Sequence, residues 1–218
     1  MSSGLTLPVW VVAAAKASLH ALLGQPFANQ VSVSLSDCTN PVLVPVISAA
    51  TLDGGEQALA ISRCDPGPGL DLTRDLEIWV RVSWRPDKQA GLMLLAGAGV
   101  GRKGTDGDLC VSAYARDLLE RNLLPLDRGL TVEVVFPRGR ELALRTSNAA
   151  FGVVDGLALI GTQAEVQRSA APDQLKQVLL DLTRLTGDQE FQGDLVLVIG
   201  ENGLDLARQA QLAPLLKV

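Results

Sequence analysis

Arg145, Thr146, Ser147 and Asn148 open the stretch in which this chain gathers groups able to hold a ligand, RTSNAAFGVVDGLALIGT at residues 145–162. A guanidinium, two hydroxyls and an amide in succession can donate to an anion, and Gly152, Gly156 and Gly161 permit positive φ or close main-chain approach. The same residues suit a turn that merely joins two elements, so both readings stand on composition alone. A second glycine-rich stretch, Gly97-Ala98-Gly99-Val100-Gly101-Arg102-Lys103, ends in two cations. Gly99, Gly101 and Gly104 spell G-x-G-x-x-G, but residues 105–110 intervene before the next helix, so no helix N-terminus is offered to a pyrophosphate. That loop reads either as backbone N–H groups with Arg102 and Lys103 for carboxylates, or as a plain connection; a nicotinamide oxidoreductase is the third reading. Arg63, Asp65 and Asp71 project from a stiff loop, RCDPGPGLDLT, whose prolines and glycines forbid regular structure. Gly200-Glu201-Asn202-Gly203 forms a fourth candidate, a turn between an apolar strand and a helix.

Composition removes several chemistries. His20 is the sole histidine, which excludes Ser-His-Asp catalysis and histidine-rich metal sites within the chain, and no protein-bound metal is expected. Cys38, Cys64 and Cys110 are odd in number and widely spaced; they suggest neither a disulfide framework nor a zinc motif, and a reducing cytoplasm is the simple inference. A formal net charge of -5 without a basic run argues against a nucleic-acid surface, so a bound anion must be met by particular residues. The apolar N-terminus lacks a basic leader region, and Lys16 and His20 interrupt Leu7–Leu23, which therefore reads as a packed helix and not as a membrane span.

These loops need elements to position them. Thr6 and Pro8 predict a helix start and Gly24 with Pro26 its stop. Strands are expected over 30–35, 42–48 and 56–62, and the strict alternation of 76–84 marks the clearest one. Residues 85–88 are expected to turn that strand back into 90–96 as a hairpin. A helix from Ser112, with Ala115, Leu118, Leu119 and Leu123 on one face, ends at Pro125, and 130–136 alternates again. Residues 141–144 fit helix or strand, and 157–160 reads as a buried strand. Pro172 starts a helix that Gly187 stops, and 194–199 is a continuous apolar run of the kind buried in a parallel sheet. The fold expected is an α+β two-layer domain over 1–163, followed over 164–218 by the beginning of an α/β three-layer (Rossmann-like) domain that is incomplete.

The first stretch resembles the T-x-N-P-x-x-G-I-x-G-G-x-x-I-L-G-T signature of the cobalt-precorrin-5B C(1)-methyltransferase family, CbiD. Thr146, Asn148, Gly152, Gly156, Ile160, Gly161 and Thr162 match, while Ala149 stands where the family has proline and Asp155 where it often has glycine. Residues 3–17 resemble one variant of the family's start, 97–102 its G-E-G-V-G-R loop, 71–73 its D-V-T ending, and 194–203 its strand followed by G-N-x-G. The family is longer at its C-terminus.

The resemblance implies a C-methyltransferase that uses S-adenosylmethionine as methyl donor and a cobalt-containing tetrapyrrole as substrate, in anaerobic cobalamin biosynthesis. The polyacid substrate is expected to meet Arg63, Gly99, Gly101, Arg102, Lys103, Arg145 and Thr146. The sulfonium end of the donor is expected to meet Asn148, Gly200, Glu201, Asn202 and Gly203. The catalytic residues are not specified. The alternative is a noncatalytic tetrapyrrole-binding or scaffold module of a corrinoid-synthesis assembly. An incomplete α/β domain would expose apolar sheet, which makes a homo-oligomer an expectation; no nucleic acid or membrane partner is expected.

Overall fold

The computed structural model describes residues 4–36, 40–67, 71–87, 89–104, 107–166 and 172–188, with isolated positions at 191, 193, 196, 207, 209 and 210. Two compact units divide the chain, 1–166 and 167–218. The architecture is mixed α+β with several sheets.

In the first unit, helix α1 spans Leu7–Leu22. Its sequence is apolar on every side, the pattern of a buried helix, and Val9 and Val11 to Ala15 are fully enclosed. Pro8 occupies the first turn, where its missing N–H costs nothing. Strands β1 (Gln30–Val33) and β2 (Val42–Pro45) form an antiparallel pair. β3 (Ser48–Leu52), β4 (Gln57–Arg63) and β5 (Glu77–Trp84) follow, then β6 (Leu92–Ala96), the short β7 (Arg102–Lys103) and β8 (Asp108–Leu109), helix α2 (Ala113–Leu123), β9 (Leu130–Val135), helix α3 (Gly139–Ala143) and β10 (Val153–Val154). The main sheet has the order β3-β4-β5-β9-β6. All its pairs are antiparallel except β6 with β9. Helix α1 packs on β3, β4 and β5, with α2 beside it. Ala58, Ala60, Ile78, Val80, Val82, Val132 and Val134 line the covered face. Ser62 is the buried exception, and its hydroxyl donates to the Trp10 carbonyl at 2.9 Å.

Three expectations change. The strand over 76–84 does not form a hairpin with the next: β9 lies between β5 and β6, and α2 belongs to the crossover that makes β6 and β9 parallel. A parallel pair needs such a long connection, which 97–129 provides. Residues 48–52 form an edge strand that their weak alternation, Ser-Ala-Ala-Thr-Leu, did not announce. Residues 157–160 are extended but belong to no regular strand; single parallel bridges join Leu157 to Val100 and Leu159 to Val111, and Ile160 is exposed. Residues 139–143 resolve as helix.

In the second unit, helix α4 spans Pro172–Thr186, and the Gly187 amide returns to the Thr183 carbonyl. The turn expected over 200–203 lies outside the described residues, as does the strand before it except for Val196.

Candidate functional site

The sheet delivers its loops to one end. There the glycine loop after β6, the turn after β9 and the signature stretch meet main chain on main chain. The Gly97 amide bonds the Val134 carbonyl at 2.8 Å and the Phe136 amide bonds the Ala98 carbonyl at 3.0 Å, fastening the glycine loop to the end of β9. The signature stretch then crosses it: Leu157 N donates to Gly99 O at 3.0 Å, and Gly101 N to Leu157 O at 2.8 Å. No side chain fits between them. A Cβ on Gly156 would lie 2.0 Å from Gly99 O, and one on Gly139 would lie 1.9 Å from the same oxygen. A Cβ on Gly101 would meet Val153 Cγ1 at 2.5 Å. Gly152 differs, with φ of +70° and open space around it, so its requirement is conformational.

Polar groups of the signature lock this crossing. Thr146 Oγ1 donates to Ala143 O at 2.8 Å and accepts from Asn148 N at 3.3 Å. Asn148 is buried, and its Nδ2 reaches Gly156 O at 3.5 Å. Farther along, Ser112 caps α2 by accepting from Ala115 N at 3.1 Å and donates to Gly161 O at 2.8 Å. Thr6 donates to Gln163 O at 2.7 Å instead of capping α1.

Four cations border the crossing. Arg102 and Lys103 pair in register with Val154 and Val153. Arg140 donates to the Asp155 carbonyl at 3.3 Å, and Arg145 precedes the Thr146–Asn148 turn. None of the four is ion-paired among the described residues, whereas Arg63, Arg81, Arg85, Arg121 and Arg138 each hold an acid. Arg138 bonds Glu141 and keeps its carboxyl below the usual carboxylate range, with the charge of Arg145 adding to the effect. Lys103 and Arg145 are exposed, and Arg102 is tied to the Ala96 carbonyl at 2.6 Å. In a chain of net charge -5, these unpaired cations mark the place suited to a carboxylate.

Of the residues singled out from the sequence, Gly99, Gly101, Arg102, Lys103, Arg145, Thr146 and Asn148 come together here. Arg63 does not join them. It bonds Glu77 at 3.0 Å, and β4 lies three strand spacings, roughly 14 Å, from β6. Gly200, Glu201, Asn202 and Gly203 lie outside the described residues. Arg140 and Gly139 escaped sequence reasoning, although the run Pro-Arg-Gly-Arg at 137–140, two guanidiniums about one glycine, was the available signal.

Two hollows lie elsewhere. One of about 200 Å³ is lined by Gln57, Arg81, Ser83, Leu95, Thr131 and Glu133 on the sheet face opposite α1. The other, about 30 Å³, includes His20, Gln25 and Phe27 at the end of α1; burial, and secondly the charge of Lys16, lower the His20 pKa. Among the described residues there is no group of three His, Cys, Asp or Glu placed to hold a metal. No helix among them is long and apolar enough to cross a membrane.

The family model described as CbiD matches residues 1–168. The whole chain is 90% identical to the cobalt-precorrin-5B C(1)-methyltransferase of Synechococcus sp. (strain CC9902), of which it covers 60%. Over 98% of its length it is 61% identical to the protein of that name from Prochlorococcus marinus (strain MIT 9313), covering 59% of it. The chain thus spans about three fifths of the length of these relatives. In structure it is similar to a cobalamin biosynthesis protein (cbiD) from Archaeoglobus fulgidus solved at 1.9 Å. The TM-score is 0.61 and the identity 23%, over 84% of this chain and 59% of that one, a likeness of fold.

Proposed function

The chain belongs to the CbiD family, and from that premise we propose that its glycine crossing holds the carboxylate rim of a cobalt-precorrin for methylation at ring carbon C(1). The observation that supports this is the set of four cations without acid partners among the described residues, Arg102, Lys103, Arg140 and Arg145, mounted on loops that cannot slide past one another. A tetrapyrrole with several carboxylates needs separated cations held at fixed spacing, and each charge-assisted hydrogen bond contributes about 1.5–3 kcal/mol. Because Gly99, Gly139 and Gly156 bring three main chains into direct contact, those cations are preorganised.

S-adenosylmethionine, when bound, supplies a methyl group on a sulfonium for in-line displacement by a nucleophilic carbon. The part of this chain in such a reaction is positioning, a contribution that can be large without acid–base chemistry. Lys103 and Arg145 bind carboxylates directly. Arg102 and Arg140 each keep one backbone carbonyl and offer their remaining N–H groups outward. Asn148, committed to the Gly156 carbonyl, shapes the loop, and residues 200–203 stay the candidates for the donor end. We place the protein in the cytoplasm.

The test is tetrapyrrole binding by absorbance titration. Replacing Arg145 by Ala is expected to weaken binding by about tenfold to a hundredfold, with the Lys103→Ala effect similar and the methyl-donor affinity unchanged. Unaltered affinity in both variants would remove the crossing from the site. The second reading is a binding module that transfers nothing. Calorimetry with the methyl donor separates the two, since a noncatalytic module binds none.

A further inference from the structure

The face of the main sheet opposite α1 has a pattern that matches itself. Register places side chains in three rows across the five strands. The middle row runs Ala50, Leu59, Arg81, Glu133, Leu95. The row toward the loops has Ile61, Trp79 and Val135, and the opposite row Gln57, Ser83, Thr131 and Met93. An antiparallel sheet with one solvated face carries mainly polar residues on it. Here Leu59, Ile61, Trp79, Met93, Leu95 and Val135 occupy it, and Met93 and Leu95 are exposed. Trp79 Nε1 is buried without a hydrogen-bond partner among the described residues, and a buried indole N–H ordinarily finds an acceptor.

At the centre Arg81 and Glu133, opposite each other on β5 and β9, form an ion pair. The face therefore carries adjacent, opposite charges flanked by apolar columns. A twofold axis along the strands, midway between β5 and β9, lays Arg81 of one copy on Glu133 of another and Glu133 on Arg81. It also lays Leu59 on Leu95, Trp79 on Val135 and Ser83 on Thr131. At these positions like meets like in polarity, Gln57 on Met93 being the exception, and opposite meets opposite in charge, as an isologous interface requires.

We propose that this face is a docking surface for a second copy of the same chain, joined across the Arg81–Glu133 pair in a twofold sheet-on-sheet dimer. Three residues on each of the four strands that face each other, β4, β5, β9 and β6, cover about 15 by 17 Å, on the order of 250 Å² per copy. That is about a third of what a standard stable interface buries on each side, so the association is weak. The hollow of about 200 Å³ beside Arg81 and Leu95 accommodates Leu59 of the second copy.

Sedimentation velocity of the full chain tests this, using Arg81→Glu and Glu133→Arg. Each variant alone sets like charges against each other twice across the axis, and is expected to raise the dimer dissociation constant about tenfold or more. Mixed together, the two restore opposite charges across the interface and are expected to form a heterodimer. A role for the pair confined to one chain would not be rescued by mixing. Leu95→Glu, at an exposed position, is a further variant that leaves the core intact and should also dissociate the dimer. The proposal is overturned if the wild-type chain stays monomeric at every concentration. It is equally overturned if the single variants associate like wild type or their mixture fails to pair.

Discussion

Replacing Gly156 by Ala tests whether the signature glycines weld loops together. The added Cβ would sit 2.0 Å from Gly99 O and 2.2 Å from Gly99 C, against an ordinary contact of about 3.5 Å. Both obstacles are backbone, so no side-chain rotation relieves them. The strands of the crossing must separate by more than an ångström, breaking Leu157 N to Gly99 O and Gly101 N to Leu157 O. Overpacking of about 1–3 kcal/mol and two hydrogen bonds of about 1 kcal/mol each give a loss of roughly 3–5 kcal/mol. With a urea slope of about 2 kcal/mol per molar, the unfolding midpoint falls by roughly 2 M. Tryptophan fluorescence reports the first unit alone, since Trp10, Trp79 and Trp84 are the three tryptophans. Gly152→Ala is the internal control: it meets positive φ but no clash, and should cost only about 1–2 kcal/mol. Equal destabilisation by the two substitutions would refute the close-packing account. Gly139→Ala pushes against the same Gly99 oxygen, so combining it with Gly156→Ala should cost less than the sum of the two.

Other outcomes follow from single contacts. Ser112→Ala removes both the cap of α2 and the bond to Gly161 O, and should lower stability in urea by about 1–2 kcal/mol. Ser62→Ala leaves the Trp10 carbonyl without its buried donor, with a loss of about 1 kcal/mol expected in the same assay. Burial pushes the Cys64 thiol from 9.0 up to about 12. The folded protein thus resists forming a thiolate that the unfolded chain forms freely, so stability is undiminished below pH 9 and declines between about pH 9 and 12. Cys64→Ala should flatten that part of the decline, measured as the difference in urea midpoint between the proteins across the range. In the native chain at pH 8, a thiol reagent should modify half-buried Cys110 well before Cys64.

What the sequence disclosed follows from how local each signal is. The start of α1, the strict alternation of β5 and the helix from Ser112 each depend on neighbours within a few residues, and each element appears as read. Strand order does not. Nothing in residues 76–96 announces that β9, more than thirty residues later, will enter between β5 and β6. The short hydrophilic turn at 85–88 favoured a hairpin that the parallel crossover replaced. Arg63 was read as free because its partner Glu77 is brought opposite only by the register of β4 on β5. The glycines at 99, 101 and 156 were recognised as permissive, but whether the approaching group is a ligand or another main chain is a tertiary fact. Arg140 lacked any local distinction beyond its neighbours Gly139 and Arg138.

In the proposed site, main-chain contact and carboxylate binding are two parts of one requirement. Long cationic side chains lose rotamer freedom on engaging an anion, so a site that spaces several of them must recover that loss through rigidity elsewhere. The crossing achieves this mainly through its main chain, with Arg102 and Arg140 each adding one bond to a backbone carbonyl. Gly139 and Gly156 both close on the Gly99 carbonyl, Thr146 and Asn148 brace the following turn, and Arg102, Lys103, Arg140 and Arg145 have no acid partner among the described residues. A loop held by ion pairs would compete with its ligand for the same guanidiniums, while a loop held by glycine contacts does not. This division predicts opposite signatures for the two residue classes. Glycine substitutions should alter stability and tetrapyrrole affinity together, whereas Lys103→Ala and Arg145→Ala should alter affinity with the urea midpoint unchanged. If the cation variants proved as unstable as Gly156→Ala, the cations would be structural, and carboxylate recognition would have to be sought in another part of the protein.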